Sequence, residues 1–271
     1  MSLSIDTSGY FTPAYIGRIQ AQAAETAATG NDGTDETEAP AADPPTGSGT
    51  PLLSSNDVRL LLLRDVRGTD MDGYKSILEQ FYSDPANRDD PTAFLKNLTP
   101  AGIDLLRQAQ SLPAGAHIDI DGMNTEEALN FILPQSSKVD LDNDGLVEGA
   151  NGGKSFVFPP VNASQSVKDA WADSTEGMSE SDKMLLTGRF FFMAFSANLH
   201  VDENGKVTRI EPDEPGWRNV FAEENFSYSD AIDRLIEGNE FNRPYNTPEI
   251  YERIKGLLAK LEQAFDSHGI A

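Results

Sequence analysis

The stretch from Asp140 to Glu148, which reads Asp-Leu-Asp-Asn-Asp-Gly-Leu-Val-Glu, constrains the fold of this chain more than any other feature. It places carboxylates at alternate positions directly before Gly145, a residue that adopts positive φ without a Cβ penalty. Carboxylates at this density repel one another unless a cation lies among them. A hard cation such as Ca²⁺ takes about six to eight oxygens at roughly 2.4 Å, which a short loop supplies by folding back on itself. The stretch therefore predicts a cation-binding loop.

The same residues resemble the calcium loop of EF-hand and related DxDxDG proteins. The resemblance covers the loop alone and implies Ca²⁺ as the bound ion, held by oxygen ligands. The implied ligands are the side chains of Asp140, Asp142, Asp144, Glu148 and Asn151 and the backbone carbonyl of Leu146.

Two departures from the EF-hand pattern modify this expectation. Asn151 stands at the twelfth position, where the family has a bidentate acid, and Pro134 precedes the loop. Glycines 149, 152 and 153 follow it and oppose an immediate exit helix. We therefore expect a single non-standard loop in which Glu148 is the bidentate ligand and Ca²⁺ binds weakly, with a Kd of roughly 10⁻⁵ to 10⁻³ M.

Alternatives to a calcium site remain open from the residues alone. Asp, Asn and Gly are also the residues of tight turns, so the loop could be an acidic surface turn. Magnesium fits less well, because it rarely uses dedicated all-protein sites. Three other stretches imitate the loop less closely, and we interpret them as turns, although ion binding at Asp119, Asp121 or Asp202 stays open: Asp70 to Gly73, Asp119 to Gly122 and the predicted hairpin His200 to Glu211.

The composition excludes several classes of function. With 21 basic and 44 acidic residues, the formal net charge is -23, which argues against a nucleic-acid partner and against anionic membranes. The chain has no cysteine, so disulfides and thiolate chemistry are excluded. Its three histidines are far apart and lack an HExxH pairing, which disfavours a catalytic zinc site.

Composition also divides the chain into segments. Residues 1–23 contain a short predicted helix that begins at Pro13, and residues 24–54 lack basic and aromatic residues. Such a segment buries too little apolar area to offset its ordering entropy, so we predict a disordered acidic linker. Residues 55–271 are predicted to form one mainly α-helical domain with one or two small strand pairs.

Caps and apolar periodicity locate the elements of that domain. An Asn-Gly pair flanked by alternating residues predicts a β-hairpin over 201–210. Short strands are predicted at His117–Ile120 and Ser155–Phe158. Helices are predicted from Ser55, Thr99 and Thr247 onward and over Asp72–Tyr82, Pro91–Leu98, Asn124–Phe131, Gln165–Ala172 and Ser181–Leu199.

Three functional hypotheses follow. The first is a soluble, non-enzymatic calcium-binding protein, whose loop acts as a structural staple or a sensor and which has a possible protein partner. The second is a bacterial export-linked or appendage-associated interaction protein, based on the Ser-rich N-terminus, the acidic linker and the helical C-terminus. The third is a hydrolase that uses its acidic residues. The start of the sequence has no cleavable signal pattern, so we expect a cytoplasmic location or export by a non-cleaving route.

Overall fold

The computed structural model describes residues 52–202 and 204–270. The predicted N-terminal helix and nearly all of the predicted linker lie outside these residues. The described part of the chain contains ten α-helices and two antiparallel strand pairs, which confirms the predicted mainly helical fold. It forms two compact units, residues 52–162 and 163–270, where the sequence analysis expected one domain.

The first unit contains six helices and one strand pair. The prediction that no helix follows the acidic loop is confirmed, because a strand begins at Val147. The elements are α1 (Ser55–Leu63), α2 (Thr69–Ser83), α3 (Ala86–Asp89), α4 (Pro91–Asn97), α5 (Pro100–Ala109), α6 (Thr125–Ile132), β1 (Val147–Gly149) and β2 (Gly153–Ser155).

Polar caps decide where these helices begin. Asn124 and Glu127 form a reciprocal capping box at the start of α6, as the sequence predicts. A second capping box joins Ser54 to Asp57 at the start of α1, one residue before the predicted cap. Leu53 is buried in the core, so the folded unit includes the last residues that were assigned to the linker.

The predicted strand at His117–Ile120 is wrong. Its backbone bonds to a side chain instead of a neighbouring strand: Asn151 Nδ2 donates to the His117 carbonyl (2.9 Å), and the Asp119 amide donates to Asn151 Oδ1 (3.3 Å). Ile120 instead begins a short 3₁₀ turn. The second predicted strand also lies earlier in the chain, where β2 pairs Ser155 with Val147 of β1.

One apolar core holds the first unit together. Helix α2 packs against α5, and α6 packs against both α4 and β1. The side chains of α6 that face this core are buried almost completely, and burial of each large one contributes roughly 1.5–3 kcal/mol. The largest fully buried side chains of this unit are Tyr74, Leu78, Phe81, Leu95, Leu106, Phe131 and Ile132.

The second unit is built around a C-terminal helix that packs against the three other helices of this unit. The predicted hairpin is confirmed, since β3 and β4 pair antiparallel around the Asn-Gly turn. No helix in the described residues is both long and apolar enough to cross a membrane. The elements are α7 (Gln165–Thr175), α8 (Glu180–Ala197), β3 (Leu199–Val201), β4 (Val207–Arg209), α9 (Tyr228–Phe241) and α10 (Pro248–Ser267).

The aromatic residues of α8 are only partly core. Phe190 is fully buried and makes an edge contact with Trp171, with ring centroids 6.3 Å apart. Phe191 is 46% exposed and stacks on Phe195. Of these two neighbouring aromatic residues, Phe190 therefore belongs to the core and Phe191 does not.

The Asp57 carboxylate is the polar contact whose loss should most weaken the first unit. It is almost fully buried and accepts hydrogen bonds from the Ser54 amide (2.9 Å), the Ser136 amide (3.0 Å) and the Ser136 hydroxyl. Asp57→Ala should lower the free energy of unfolding by roughly 2–4 kcal/mol, because it removes the cap and leaves buried donors unpaired.

This loss is best measured by native-state hydrogen exchange of amides in α1 and α6. Both tryptophans, Trp171 and Trp217, lie in the second unit, so their fluorescence does not report directly on the first. The control is Asp70→Ala, at an exposed acid in the first turn of α2. Equal destabilisation by both substitutions would contradict the assigned role of Asp57.

Candidate metal site

The acid loop, residues 140–148, is shaped by its own carboxylates. The Asp140 carboxylate accepts hydrogen bonds from the amides of Asp144 (3.1 Å) and Gly145 (3.0 Å). Asp142 accepts from the Asp144 amide (3.1 Å), and Asp144 accepts from the Leu146 amide (2.8 Å). Gly145 has a φ of 84°, so the turn uses the left-handed conformation that the sequence predicts there.

Glu126 on α6 attaches the loop to the first unit from one side. Its carboxylate accepts hydrogen bonds from the Leu141 amide (2.6 Å) near the beginning of the loop and from the Glu148 amide (2.9 Å) at its end. Both carboxylate oxygens therefore bind loop backbone, and the side chain is only 4% exposed. Glu126 thus holds the two ends of the loop against the first turn of α6.

Asn130, one helical turn after Glu126, completes this attachment. Its Nδ2 donates to the carbonyls of Val139 and Glu148, both at 2.9 Å, and its Oδ1 accepts from the Val139 amide (2.8 Å). The side chain is fully buried. Residues at i and i+4 lie on one face of a helix, so Glu126 and Asn130 form a single polar stripe on α6.

The attachment brings three carboxylates together. One oxygen each from Glu126, Asp140 and Asp142 lies within 4.8 Å of the other two, and we call this group the acid cluster. Two oxygens that each lie about 2.4 Å from the same calcium ion are at most about 4.8 Å apart, so the cluster meets the distance condition for sharing one ion.

Burial makes negative charge unfavourable in this cluster. Desolvation raises the pKa of Asp140 to about 7, and the neighbouring Asp144 and Glu126 carboxylates add to the effect. Desolvation also raises the pKa of Glu126, to which the charges of Asp142 and Glu148 contribute. Asp142 is exposed and is the cluster member that faces solvent. A bound cation would stabilise the charged form of all three.

Lys154 is the cation that the chain itself brings to the acid loop. Its ammonium group lies 3.2 Å from Asp144 Oδ2 and 2.7 Å from Glu148 Oε1. Asn124 Nδ2 donates to the other oxygen of the Glu148 carboxylate. Asp144 and Glu148 therefore have protein partners, whereas no lysine or arginine of the described residues forms an ion pair with the acid cluster.

The second nearby lysine is not used by the loop. Lys138 Nζ donates to Gln110 Oε1 and to the Asn130 carbonyl, both at 2.7 Å. Desolvation, followed by repulsion from Arg64, lowers the pKa of Lys138 to about 8. The two lysines that flank the acid loop in sequence thus have different environments.

The six predicted ligands are distributed over four environments. Asp140 and Asp142 lie in the acid cluster, and Asp144 and Glu148 form ion pairs with Lys154. Leu146 is placed in the turn by its amide. Asn151, with a φ of 64°, bonds to the backbone of His117 and Asp119.

Sequence reasoning missed Glu126, because adjacent acids such as Glu126 and Glu127 are usually a solvated face or charge bias at a helix start. Both are buried. The signal that could have identified Glu126 is its spacing from Asn130, which places these two polar residues on one face of the helix.

The imitators of the acid loop have local partners. Asp119 accepts from the Gly122 amide (3.3 Å) in the 3₁₀ turn, and Asp121 forms an ion pair with Lys96 at 2.7 Å. Asp202 accepts from the amides of Asn204 and Lys206, both at 2.9 Å, inside the hairpin turn. Ion binding at these positions stays untested.

Comparison with protein-family models, with curated proteins and with solved structures finds no match to this chain.

Asn130 allows a direct test of how the loop is attached. Asn130→Ala should expose the amides of Val139 and of β1 to hydrogen exchange, because two carbonyls and one amide lose buried partners at about 1–3 kcal/mol each. The measurement is amide exchange followed residue by residue. A matched control exists in the second unit, where the buried Asn198 donates to the Ala194 and Arg218 carbonyls (3.0 Å each) and accepts from the Arg218 amide (2.8 Å).

Asn198→Ala should cause a comparable loss around Arg218 without faster exchange in the acid loop. If Asn130→Ala leaves the exchange of the Val139 amide unchanged, the Asn130 side chain does not hold the loop.

Proposed function

We propose that residues 52–162 bind one calcium ion at the acid cluster, and that the ion acts as a structural staple between α6 and the acid loop. The observation that carries the proposal is the approach of the Glu126, Asp140 and Asp142 oxygens to within 4.8 Å of one another, two of them on buried side chains. The loop backbone and water would supply the remaining ligands that Ca²⁺ requires.

The type of donor atom favours calcium over transition metals. Every ligand in the cluster is a carboxylate oxygen, whereas zinc and copper sites typically include imidazole or thiolate donors, and the cluster has neither. The cluster also combines donors from a helix and from a loop, and such irregular geometry suits Ca²⁺ better than Mg²⁺, which requires a near-ideal octahedron and retains most of its water. This is the ion that the resemblance of the loop also implies.

The setting of Glu126 favours a staple over a sensor. A calcium sensor couples ion binding to the reorientation of two helices. Here only one helix contributes to the cluster, and the rest of α6 packs in the core of the first unit through Phe131 and Ile132. The loop continues into β1 and not into a second helix. Ion binding would therefore stabilise an arrangement that α6 already holds.

Lys154 limits the affinity in this proposal. Its ammonium group is held by Asp144 and Glu148, two of the residues that the resemblance implies as ligands. A calcium ion in the cluster and a lysine beside it carry charges of the same sign, so they oppose each other. The proposed affinity is accordingly low, in agreement with the roughly 10⁻⁵ to 10⁻³ M expected without an acid at position 151.

Asp142→Asn tests the site with little structural change, since Asp142 is exposed and an Asn side chain keeps the oxygen that accepts the Asp144 amide. Calcium affinity measured by isothermal titration calorimetry should fall about tenfold, equivalent to about 1.4 kcal/mol. The melting temperature of the calcium-free protein should stay close to that of the wild type.

Asp202→Asn is the matched control, because Asp202 accepts two similar backbone hydrogen bonds in a turn outside the acid cluster. It should leave the calcium titration unchanged. The proposal is wrong if calorimetry detects no calcium binding to the wild type, or if the two substitutions lower the calcium affinity equally.

Lys154→Gln tests the opposing lysine. Removing a positive charge next to the cluster should raise calcium affinity roughly fivefold. The same substitution should destabilise the calcium-free protein, since Asp144 and Glu148 lose their ion pairs. A thermal melt with and without calcium measures both effects, and the calcium-dependent rise in melting temperature should be larger than in the wild type. A smaller rise would show that Lys154 supports the ion instead of opposing it.

A further inference from the structure

A cavity of about 260 Å³ lies within the first unit and is separate in its chemistry from the acid cluster. Its polar lining includes Arg64, Gln110, Asn130 and Lys138, and Phe131 contributes to its apolar lining. The volume is below the roughly 300–1,000 Å³ of pockets that hold drug-sized ligands, so its occupant would be smaller. We call it the cation cavity because of the two basic residues.

The two basic side chains of this cavity donate to neutral oxygens and not to carboxylates. Neither Arg64 nor Lys138 forms an ion pair among the described residues. Lys138 Nζ donates to two neutral oxygens, the Gln110 side-chain oxygen and the Asn130 carbonyl, and an ammonium group has three donors. Arg64 donates to the Ala109 carbonyl and has further N–H groups.

The carboxylates near the cavity are already bound elsewhere. Glu148 is part of its lining, but the carboxylate of Glu148 is held by Lys154 and Asn124. Asp57, which attracts Arg64 electrostatically, accepts its hydrogen bonds from serines. Arg64 and Lys138 both line this one cavity of about 260 Å³.

We propose that the cation cavity binds a small organic anion, a carboxylate with a compact apolar body, through Lys138 and Arg64. Like charges held together without a counter-ion in a partly desolvated site are unfavourable, and a bound anion offsets this. The apolar lining accommodates the body of the ligand, and the side-chain amide of Gln135 can donate to its polar head.

The overall negative charge of the chain limits where an anion can bind. At a net charge of -23 the surface as a whole repels anions. An anion would therefore bind at a place where basic side chains are concentrated and the nearby carboxylates of Glu148 and Asp57 have other hydrogen-bond partners, which describes the cation cavity. The proposal does not depend on calcium, and its test is run on protein freed of metal over a chelating resin.

The probes are benzoate and benzamide, which share a shape and differ in charge. Each is titrated into ¹⁵N-labelled full-length protein and followed by amide shifts of Gln110, Gln135, Lys138 and Gly149. Benzoate should shift these signals saturably, and benzamide should bind at least tenfold more weakly. Sodium chloride at the same ionic strength should not reproduce the shifts. Equal binding of both probes, or the same shifts with chloride, would overturn the proposal.

Substitutions then locate the site. Lys138→Met and Arg64→Met should each weaken benzoate binding at least fivefold, and Lys206→Met, at an exposed lysine of the second unit, should leave it unchanged. Val157→Trp keeps both basic residues but fills part of the cavity, so it should also reduce benzoate binding. If Lys138→Met fails to fold, this variant shows whether benzoate binds in the cavity. Binding of benzoate to Val157→Trp with wild-type affinity would place the anion elsewhere and refute the assignment.

Discussion

The hydrogen bonds that join Glu126 and Asn130 to the backbone of residues 139–148 are the constraint on which the rest of the site depends. Val147 is the only buried apolar side chain of the acid loop, so hydrophobic burial contributes little to the position of the loop. Two polar side chains on one face of α6 position it instead, by bonding to backbone groups at both ends of the loop. The apolar residues of α6 pack in the core, so these hydrogen bonds attach the loop to an element that the core holds in place.

This attachment has an electrostatic consequence. A buried carboxylate that accepts backbone hydrogen bonds is retained next to two aspartates. Burial, followed by repulsion from neighbouring carboxylates, raises the pKa of Glu126 and of Asp140. An apolar residue at position 126 would avoid the repulsion but would leave the Leu141 and Glu148 amides without partners. The acid cluster thus arises because the residue that holds the loop, Glu126, is itself an acid. A cation bound there would stabilise the structure by mass action.

The two lysines that flank the acid loop lie in places of opposite local charge. Lys154 lies among carboxylates, whereas Lys138 lies beside Arg64 and neutral oxygens. Pairing Lys138 with an acid of the loop would satisfy both groups, but its ammonium is held by Gln110 and Asn130. The first unit therefore keeps an excess of negative charge at the acid cluster and an excess of positive charge in the cation cavity. The two proposals, a calcium ion and an organic anion, follow from these two excesses.

Local signals predicted much of this structure and failed where partners come from afar. The helices at Asn124 and Thr247 begin at their predicted caps, and the Asn-Gly hairpin forms, since these features depend on neighbouring residues only. The alternating pattern at His117–Ile120 has no partner strand, because Asn151 takes its backbone hydrogen bonds. The division into two units also depends on which elements pack together, and no linker signal at residue 162 announces it.

The sequence by itself determined the acid loop. Aspartates at alternate positions bond to amides two to five residues ahead, and Gly145 allows the reversal, so these contacts are local and need no other part of the chain. Only the tertiary structure decided which carboxylates come together. Glu126 joins the cluster because α6 packs against β1, and Asp144 and Glu148 bind Lys154 because the pairing of β1 with β2 places Lys154 opposite Glu148. The spacing of residues specifies the turn, while the packing of distant elements selects the ligands.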